Sequence, residues 1–480
     1  MKQALHIFKK DVRYLRLEIC LILTLSAVFA WVDTHSPGVW WMEMLLTIGA
    51  MYAIARVIHA EAIPGDTQFW ITRPYRWKSL LGAKILFILV FVNLPIFTAR
   101  LYVLTSGFPL VSVLPGLLWS QLLMILAASL PLAALAAVTT GVVPFIFSAL
   151  IALAIAAGAP YVMYPRFYSP HGGFLGPAEW VWNSIVIITL IASAIPIMYV
   201  QYKRRSTLFS RLFGLSVTTL GAVAYLLVPW PFVLAVQKSV SRQTFDTSSV
   251  QVALDPGSKL SLVQRDWPGV LDLPIVVRGV PDGVDVDAEA LAVTFQGSDG
   301  RIWKSTPYYR PQLHLNQSGP GNSVLNAIVM VDKAFFSEQR EKRVTLHASL
   351  YVMLFGNARY KTISLDGGFA DVGDGLRCYR PPESPLWLET SGRVYCTSPF
   401  RWPNRLLYAK YSENDTRSFQ QDLSYSPFPS NLSFDYMAGS EVSAPRSARE
   451  VTMVIKEPLA NIRLDFEARD IRLTDFQCCR

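Results

Sequence analysis

The spacing of apolar positions divides the chain at about residue 237. Before that point apolar residues run in long unbroken stretches, and after it they alternate with polar ones. A helix needs about 20 apolar residues to cross a hydrocarbon core roughly 30 Å thick. Seven stretches qualify: 17–34, 39–58, 80–104, 114–138, 142–160, 180–201 and 212–236. The fourth and fifth form one apolar run broken by Thr139-Thr140-Gly141 and Pro144, which predicts a tight turn between two spans. Ahead of the first span, Leu5, Phe8, Val12 and Leu15 recur at helical spacing, while Lys9, Arg13 and Arg16 take another face. That pattern predicts an amphipathic helix lying on the membrane surface. Read otherwise, the same residues only flank the first span.

Beyond residue 237 the period becomes two. Val344, Leu346, Ala348, Leu350, Val352 and Leu354 alternate with Thr345, His347, Ser349, Tyr351, Met353 and Phe355. Ile462, Leu464, Phe466 and Ala468 alternate with Arg463, Asp465, Glu467 and Arg469. These are strands. Gly297-Ser298-Asp299-Gly300 predicts a hairpin joining Ala292–Phe295 to Arg301–Trp303. The expected fold class is a membrane α-helical bundle of about seven transmembrane helices, followed by an all-β extracytoplasmic domain of one or two β-sandwiches. The expected limits are an interfacial helix at 1–16, a six-span unit at 17–205 and a seventh span at 206–237. A β-sandwich at 238–365 and a second β-rich segment at 366–480 follow, divided at the Gly/Asp-rich stretch Asp366–Gly375.

Composition narrows the class. Of 480 residues, 52% are hydrophobic and 16% charged, with a mean hydropathy of +0.31. That excludes a disordered chain, a collagen-like repeat and a small disulfide scaffold. The net charge of +9 belongs to residues 1–237, which hold 16 Lys/Arg and 7 Asp/Glu, whereas residues 238–480 hold 28 of each. The charge therefore marks membrane orientation, and no nucleic-acid partner is expected. Fourteen of the 16 basic residues fall on one side of the expected spans, Arg100 and Arg166 being the others. This places the N-terminus in the cytoplasm and, after seven spans, residues 238–480 outside it. A cleaved signal peptide is the alternative for the first span. Asp11 and Glu18 in its leader and the lack of an A-x-A site, since Ala27 and Ala30 are wrongly spaced, favour an uncleaved helix. Glu43 and Arg100 sit near outer span ends, where snorkelling to the interface is the expected behaviour.

The most informative polar segment is the loop from His59 to Lys78. Pro64-Gly65 makes a turn and Asp66 can cap a short helix behind it. Phe69, Trp70 and Ile71 give that helix a bulky apolar surface. Pro74 ends it, because the residue before a proline avoids the α region. Exposed aromatic groups beside Arg73 are typical anchors of a protein–protein contact. The same residues also suit an aromatic, basic belt that only fixes the ends of the second and third spans.

Taken together, the leader helix and this loop resemble the ABC-2 type transporter permeases, the membrane subunits of exporters of lipids, polysaccharides and drugs. In that family a basic amphipathic N-terminal helix precedes span one. After span two comes a cytoplasmic loop with an acidic residue, a glycine, an apolar helix and a basic-flanked proline, leading into Gly-x-Lys. Here those positions read Glu61, Gly65, Phe69-Trp70-Ile71-Thr72-Arg73-Pro74 and Gly82-Ala83-Lys84. A short outer segment between spans five and six has its counterpart in Tyr161–Glu179. The resemblance covers about residues 1–205; the seventh span and the large C-terminal region depart from it. It implies that Glu61, Gly65, Phe69, Trp70, Arg73 and Pro74 form a coupling loop seated on a separate ATPase subunit, with ATP and Mg held by that partner. It also implies a homodimer or a pair with a related permease, in a bacterial inner membrane.

The chain itself has no G-x-x-x-x-G-K-[ST] phosphate loop; Gly300-Arg301-Ile302-Trp303-Lys304-Ser305 is only superficially similar. No H-E-x-x-H or G-x-S-x-G occurs, and His59-Ala60-Glu61 lacks the P-C-x-x-C that zinc deaminase chemistry requires. No cofactor and no catalytic role are expected of this chain. Asp282, Asp285 and Asp287 read as a solvated turn or a loose calcium site. Cys378 and Cys396, 18 residues apart in the exported part, read as a disulfide or as two thiols. The expected function is the permease subunit of an ATP-driven exporter. An exported β domain would receive substrate or dock an accessory protein. A non-transporting receptor or assembly scaffold is the alternative, and a membrane enzyme is the third reading.

Overall fold

The computed structural model describes residues 2–35, 40–60, 76–107, 110–152, 154, 168–169, 173–174, 179–240, 245–255, 269–305, 312–313, 322–364, 370–373, 376–379, 393–397, 406–412, 415–417, 437–443 and 450–477. The helical part opens with α1 (Lys2–Tyr14), α2 (Arg16–His35) and α3 (Trp40–His59). Next come α4 (Trp77–Ile88) and α5 (Leu94–Gly107), joined without a break by the π-helical turn Leu89–Asn93. Likewise α6 (Leu110–Met124) runs through a second π-helical turn, Ile125–Ser129, into α7 (Leu130–Val138). A shorter apolar helix, α8 (Val142–Ala152), follows. The long α9 (Glu179–Arg204), α10 (Thr207–Leu227) and α11 (Trp230–Val240) complete the set. Among the described residues, six helices are long and apolar enough to cross a membrane: Arg16–Thr34, Trp41–His59, Trp77–Thr105, Leu114–Val138, Trp180–Arg204 and Thr207–Leu227. The stretch expected to form a fifth span, 142–160, is represented by α8.

Small residues let these helices approach closely. Ala133, Ala134, Ala136 and Ala137 of α7 are buried where it packs against α3 and α9. A Cβ on Gly214 or Gly221 of α10 would run into Ile197 or Thr189 of α9. The expected continuous span 212–236 is instead two helices, parted at Val228-Pro229. Proline disfavours the α region for the residue before it, and Val228 is extended at φ −58°, ψ 119°. The leader also differs from expectation. It is helical, but Leu5 of its expected apolar face is 48% exposed, while Ile7 and Asp11 are fully buried against the bundle.

Among the described residues the β part holds three larger sheets. The six-stranded sheet runs β14 (Asp415–Arg417), β13 (Leu406–Ser412), β16 (Glu450–Arg472), β9 (Arg343–Ser364), β5 (Asp285–Gly297) and β6 (Ile302–Lys304). A four-stranded sheet runs β3 (Gln251–Leu254), β4 (Val270–Arg278), β8 (Asn322–Met330) and β7 (Gln312–Leu313). Another runs β10 (Ala370–Gly373), β11 (Leu376–Tyr379), β12 (Arg393–Thr397) and β15 (Met437–Ser443). A short ribbon, β1 (Tyr168–Ser169) and β2 (Gly173–Phe174), lies ahead of α9.

The first two larger sheets enclose one core. Leu346, Leu350, Val352 and Leu354 of β9 and Val293 and Phe295 of β5 face Leu271, Leu273 and Ile275 of β4 and Leu325 and Val329 of β8. This is the period-two face read from the sequence. The Gly297–Gly300 hairpin forms, with Gly300 at φ +80° and Phe295 opposite Trp303. The strand β16 pairs with β9 from Glu450↔Ser364 to Arg472↔Arg343, so the stretches on either side of residue 366 share a sheet.

Candidate functional site at the polar end of the bundle

The residues singled out from the sequence, Glu61, Gly65, Phe69, Trp70, Arg73 and Pro74, lie outside the described residues. The two stems of their loop are described, and both are held by contacts between helices. On the α3 stem, Arg56 Nε donates to Glu18 Oε1 of α2 at 2.9 Å, and its guanidinium lies 6.0 Å from the Tyr14 ring centroid of α1. One turn on, His59 Nε2 lies 3.2 Å from both the carbonyl oxygen and Oγ1 of Thr139, just past α7. The carbonyl contact suits the tautomer protonated on Nε2 and the hydroxyl contact suits either. Phe145 of α8 meets the His59 ring edge-on.

On the other stem, the Arg76 backbone N–H donates to Gln3 Oε1 of α1 at 3.4 Å, and the Trp77 ring packs edge-on against Tyr199 of α9. Two turns into α4, Lys84 Nζ donates to Asp11 Oδ2 at 2.8 Å, with neither side chain exposed. Phe8 of α1 stacks on Phe91 below that pair. Arg211 of α10 closes the same end: its Nε and Nη2 donate to the Val138 carbonyl at 3.0 and 2.8 Å. A cation there complements the negative end of the α7 dipole.

A second polar node lies midway along the bundle. Asn93 Nδ2 donates to the Ile88 carbonyl at 3.1 Å. Gln121 Nε2 of α6 donates to the Asn93 carbonyl and Oδ1 at 3.3 and 3.2 Å, and Ser129 Oγ donates to the same Oδ1 at 3.2 Å. All three side chains are buried. Both π-helical turns meet here: Asn93 closes one and Ser129 the other. A π-turn shifts the backbone ladder, and side chains from neighbouring helices then satisfy the displaced carbonyls. Arg100, expected to snorkel, is instead 6% exposed and donates from Nη1 to Ser120 Oγ at 3.2 Å. Ser120 Oγ is thus a buried acceptor for the guanidinium between α5 and α6.

The opposite end of α9 carries the β part. Trp180 Nε1 donates to Gln237 Oε1 of α11. Trp180, Val181 and Trp182 pack with Val233 and Leu234 of α11 and with Ala290 and Tyr351 on the outer face of the six-stranded sheet. A bulge between Ala288 and Ala290 brings Ala290 opposite Tyr351. The Tyr351 phenol is pushed up by burial, with Arg463 5.7 Å from the ring acting against it.

In the β part, Asp285 is ion-paired to Lys456, Nζ to Oδ2 at 2.8 Å, Asp287 is buried and Asp282 is exposed, so the run Asp282–Asp287 is not one solvated turn. Cys378 and Cys396 are direct register partners on β11 and β12. The sequence reading missed Asp11, Glu18 and the Asn93 node. For the first two a signal was available: only seven acidic residues occur before residue 238, and two of them interrupt a basic leader.

Comparisons with known proteins add no family: no family model matches the chain, and neither does any curated protein. Among solved structures, a DUF4466 family protein from Parabacteroides merdae ATCC 43184 is similar at 13% identity, over 46% of this chain and 99% of that one. The TM-score is 0.11, too low to indicate a shared fold.

Proposed function

We propose that this chain is the membrane-spanning permease subunit of an ATP-driven exporter of the ABC-2 type, working with a separate ATPase that holds ATP and Mg. One observation supports this reading above the others: both stems of the 61–75 loop are tied by polar contacts to other helices, Arg56 to Glu18, His59 to Thr139, Arg76 to Gln3. A push on the loop is then delivered to α1, α2 and α7 together instead of bending one helix. The Asn93 node at the two π-turns is where spans three and four would yield. In this reading the N-terminus is cytoplasmic, the β part is extracytoplasmic, and the protein sits in a bacterial inner membrane as a homodimer or beside a related permease. Cys378 and Cys396 would form a disulfide in that oxidising compartment.

The test is affinity purification of the full chain in mild detergent, with Trp70→Ala and Arg73→Glu as variants. A stoichiometric ATPase that is lost in the variants, with membrane insertion intact, is the expected result. Equal ATPase recovery in all three, or none in any, refutes the coupling role.

A second reading, a receptor or assembly scaffold without transport, is favoured by the junction at Trp180, Trp182 and Tyr351. That contact ties the β part directly to α9, whose far end at Tyr199 touches Trp77 beside the loop. An exported partner recovered in place of the ATPase would select it.

A further inference from the structure

At the polar end of the bundle, the described carboxylates are Asp11 and Glu18, and both are taken inward. Asp11 is fully buried on Lys84, and Glu18 is 8% exposed on Arg56. Glu61 and Asp66 belong to the loop outside the described residues. The charges left at the described surface of this end are positive. Lys9, Arg13 and Arg16 lie on the outward face of α1 and the turn after it, Arg76 and Lys78 start α4, and Arg204 ends α9; all six are exposed.

Exposed apolar side chains adjoin these charges along the chain. Tyr14 is 62% exposed and Leu17 84%, both beside the α1 basic residues, and Leu208 is 71% exposed just past Arg204. A cationic belt above an apolar collar matches the headgroup layer of a bilayer, with phosphate at the level of the belt and acyl chain at the level of the collar. A soluble polyanion would match the belt and leave the collar uncovered. The two internal ion pairs sharpen the match, because they withdraw the carboxylates that would otherwise repel phosphate.

We propose that this face binds the phosphate headgroups of anionic lipids in the leaflet it meets, and selects them over zwitterionic ones. The proposal rests on the membrane reading above. Alkaline extraction of membranes separates the two: release of the chain defeats the membrane reading itself, whereas an integral protein indifferent to lipid charge defeats only this inference.

The experiment uses the full chain in nanodiscs of mixed phosphatidylglycerol and phosphatidylcholine, with native mass spectrometry of the lipids retained after mild delipidation. Wild type should retain phosphatidylglycerol preferentially. The triple variant Lys9→Gln, Arg13→Gln, Arg16→Gln should lose about fivefold in preference per charge removed. Should that variant fail to fold, the wild type still decides: raising salt from about 0.05 M to about 0.5 M shortens the Debye length roughly threefold and should erode the preference. Equal retention of the two lipids, or a preference unaffected by both salt and the variant, overturns the proposal. Displacement of the bound lipid by a short single-stranded DNA at matched charge would assign the face to a soluble polyanion instead.

Discussion

The buried Asp11–Lys84 pair sets up a quantitative experiment on the loop's support. At 2.8 Å and an effective dielectric of about 20, two unit charges attract by ~6 kcal/mol, and desolvation of both groups offsets much of that. The net worth of the intact pair is therefore small, while the cost of leaving one charge behind is large. Asp11→Asn removes the negative charge facing Lys84, and Lys84→Met removes the positive one. Each single variant should lose about 3–5 kcal/mol. The double variant buries no charge there and should lose only about 1 kcal/mol, which corresponds to a coupling energy of at least about 5 kcal/mol. The assay is reversible unfolding of the full chain in mixed dodecylmaltoside and dodecyl sulfate micelles, followed by tryptophan fluorescence. Single variants within about 1 kcal/mol of wild type would mean that water reaches the pair. Losses that simply add in the double variant would mean that the two groups act separately, and α1 would then be held by its apolar contacts alone.

Two further outcomes follow from other parts of the molecule. Asn93→Leu deletes the bonds to Ile88, Gln121 and Ser129; at about 0.6 kcal/mol for each intramembrane side-chain bond, the loss should be about 2 kcal/mol in the same micelle assay, and no loss would deny the node a structural role. Asp299 in the β5–β6 hairpin is held down to about 2 by the Gln339 side chain first, then by the Arg301 backbone N–H and Lys342. Its contribution is complete above the ordinary carboxylate value of 3.8 and is lost as pH falls through about 2. Wild type and Asp299→Asn should therefore differ at neutral pH and converge in stability below about pH 2, measured by acid titration of hairpin exchange; parallel curves would refute the assignment.

Much of the architecture is legible in one dimension because hydrophobic period reports burial directly. Long apolar runs mark the helices of the first half, and the alternation from Val344 to Leu354 marks the inward face of β9. The hairpin at Gly297–Gly300 follows from its turn residues, since Gly300 needs a positive φ. The division of the chain near residue 237 and the concentration of basic residues at one end of the bundle also follow from sequence alone.

What sequence spacing does not encode is which side chains meet across helices. Leu5 and Ile7 are equally apolar as residue types, and only docking on α4 decides that Ile7 is buried and Leu5 exposed. Asp11 and Glu18 read locally as acidic residues in a basic leader, and Arg100 as a charge near a span end. Partners 73, 38 and 20 residues away turn them inward, through Lys84, Arg56 and Ser120. The return of β16 onto β9 is likewise non-local, because a strand's alternation fixes its face and leaves its neighbour open. Sequence by itself determined the elements and their polarity. Tertiary structure decided the pairings, because a buried charge is stable only beside the particular group that compensates it.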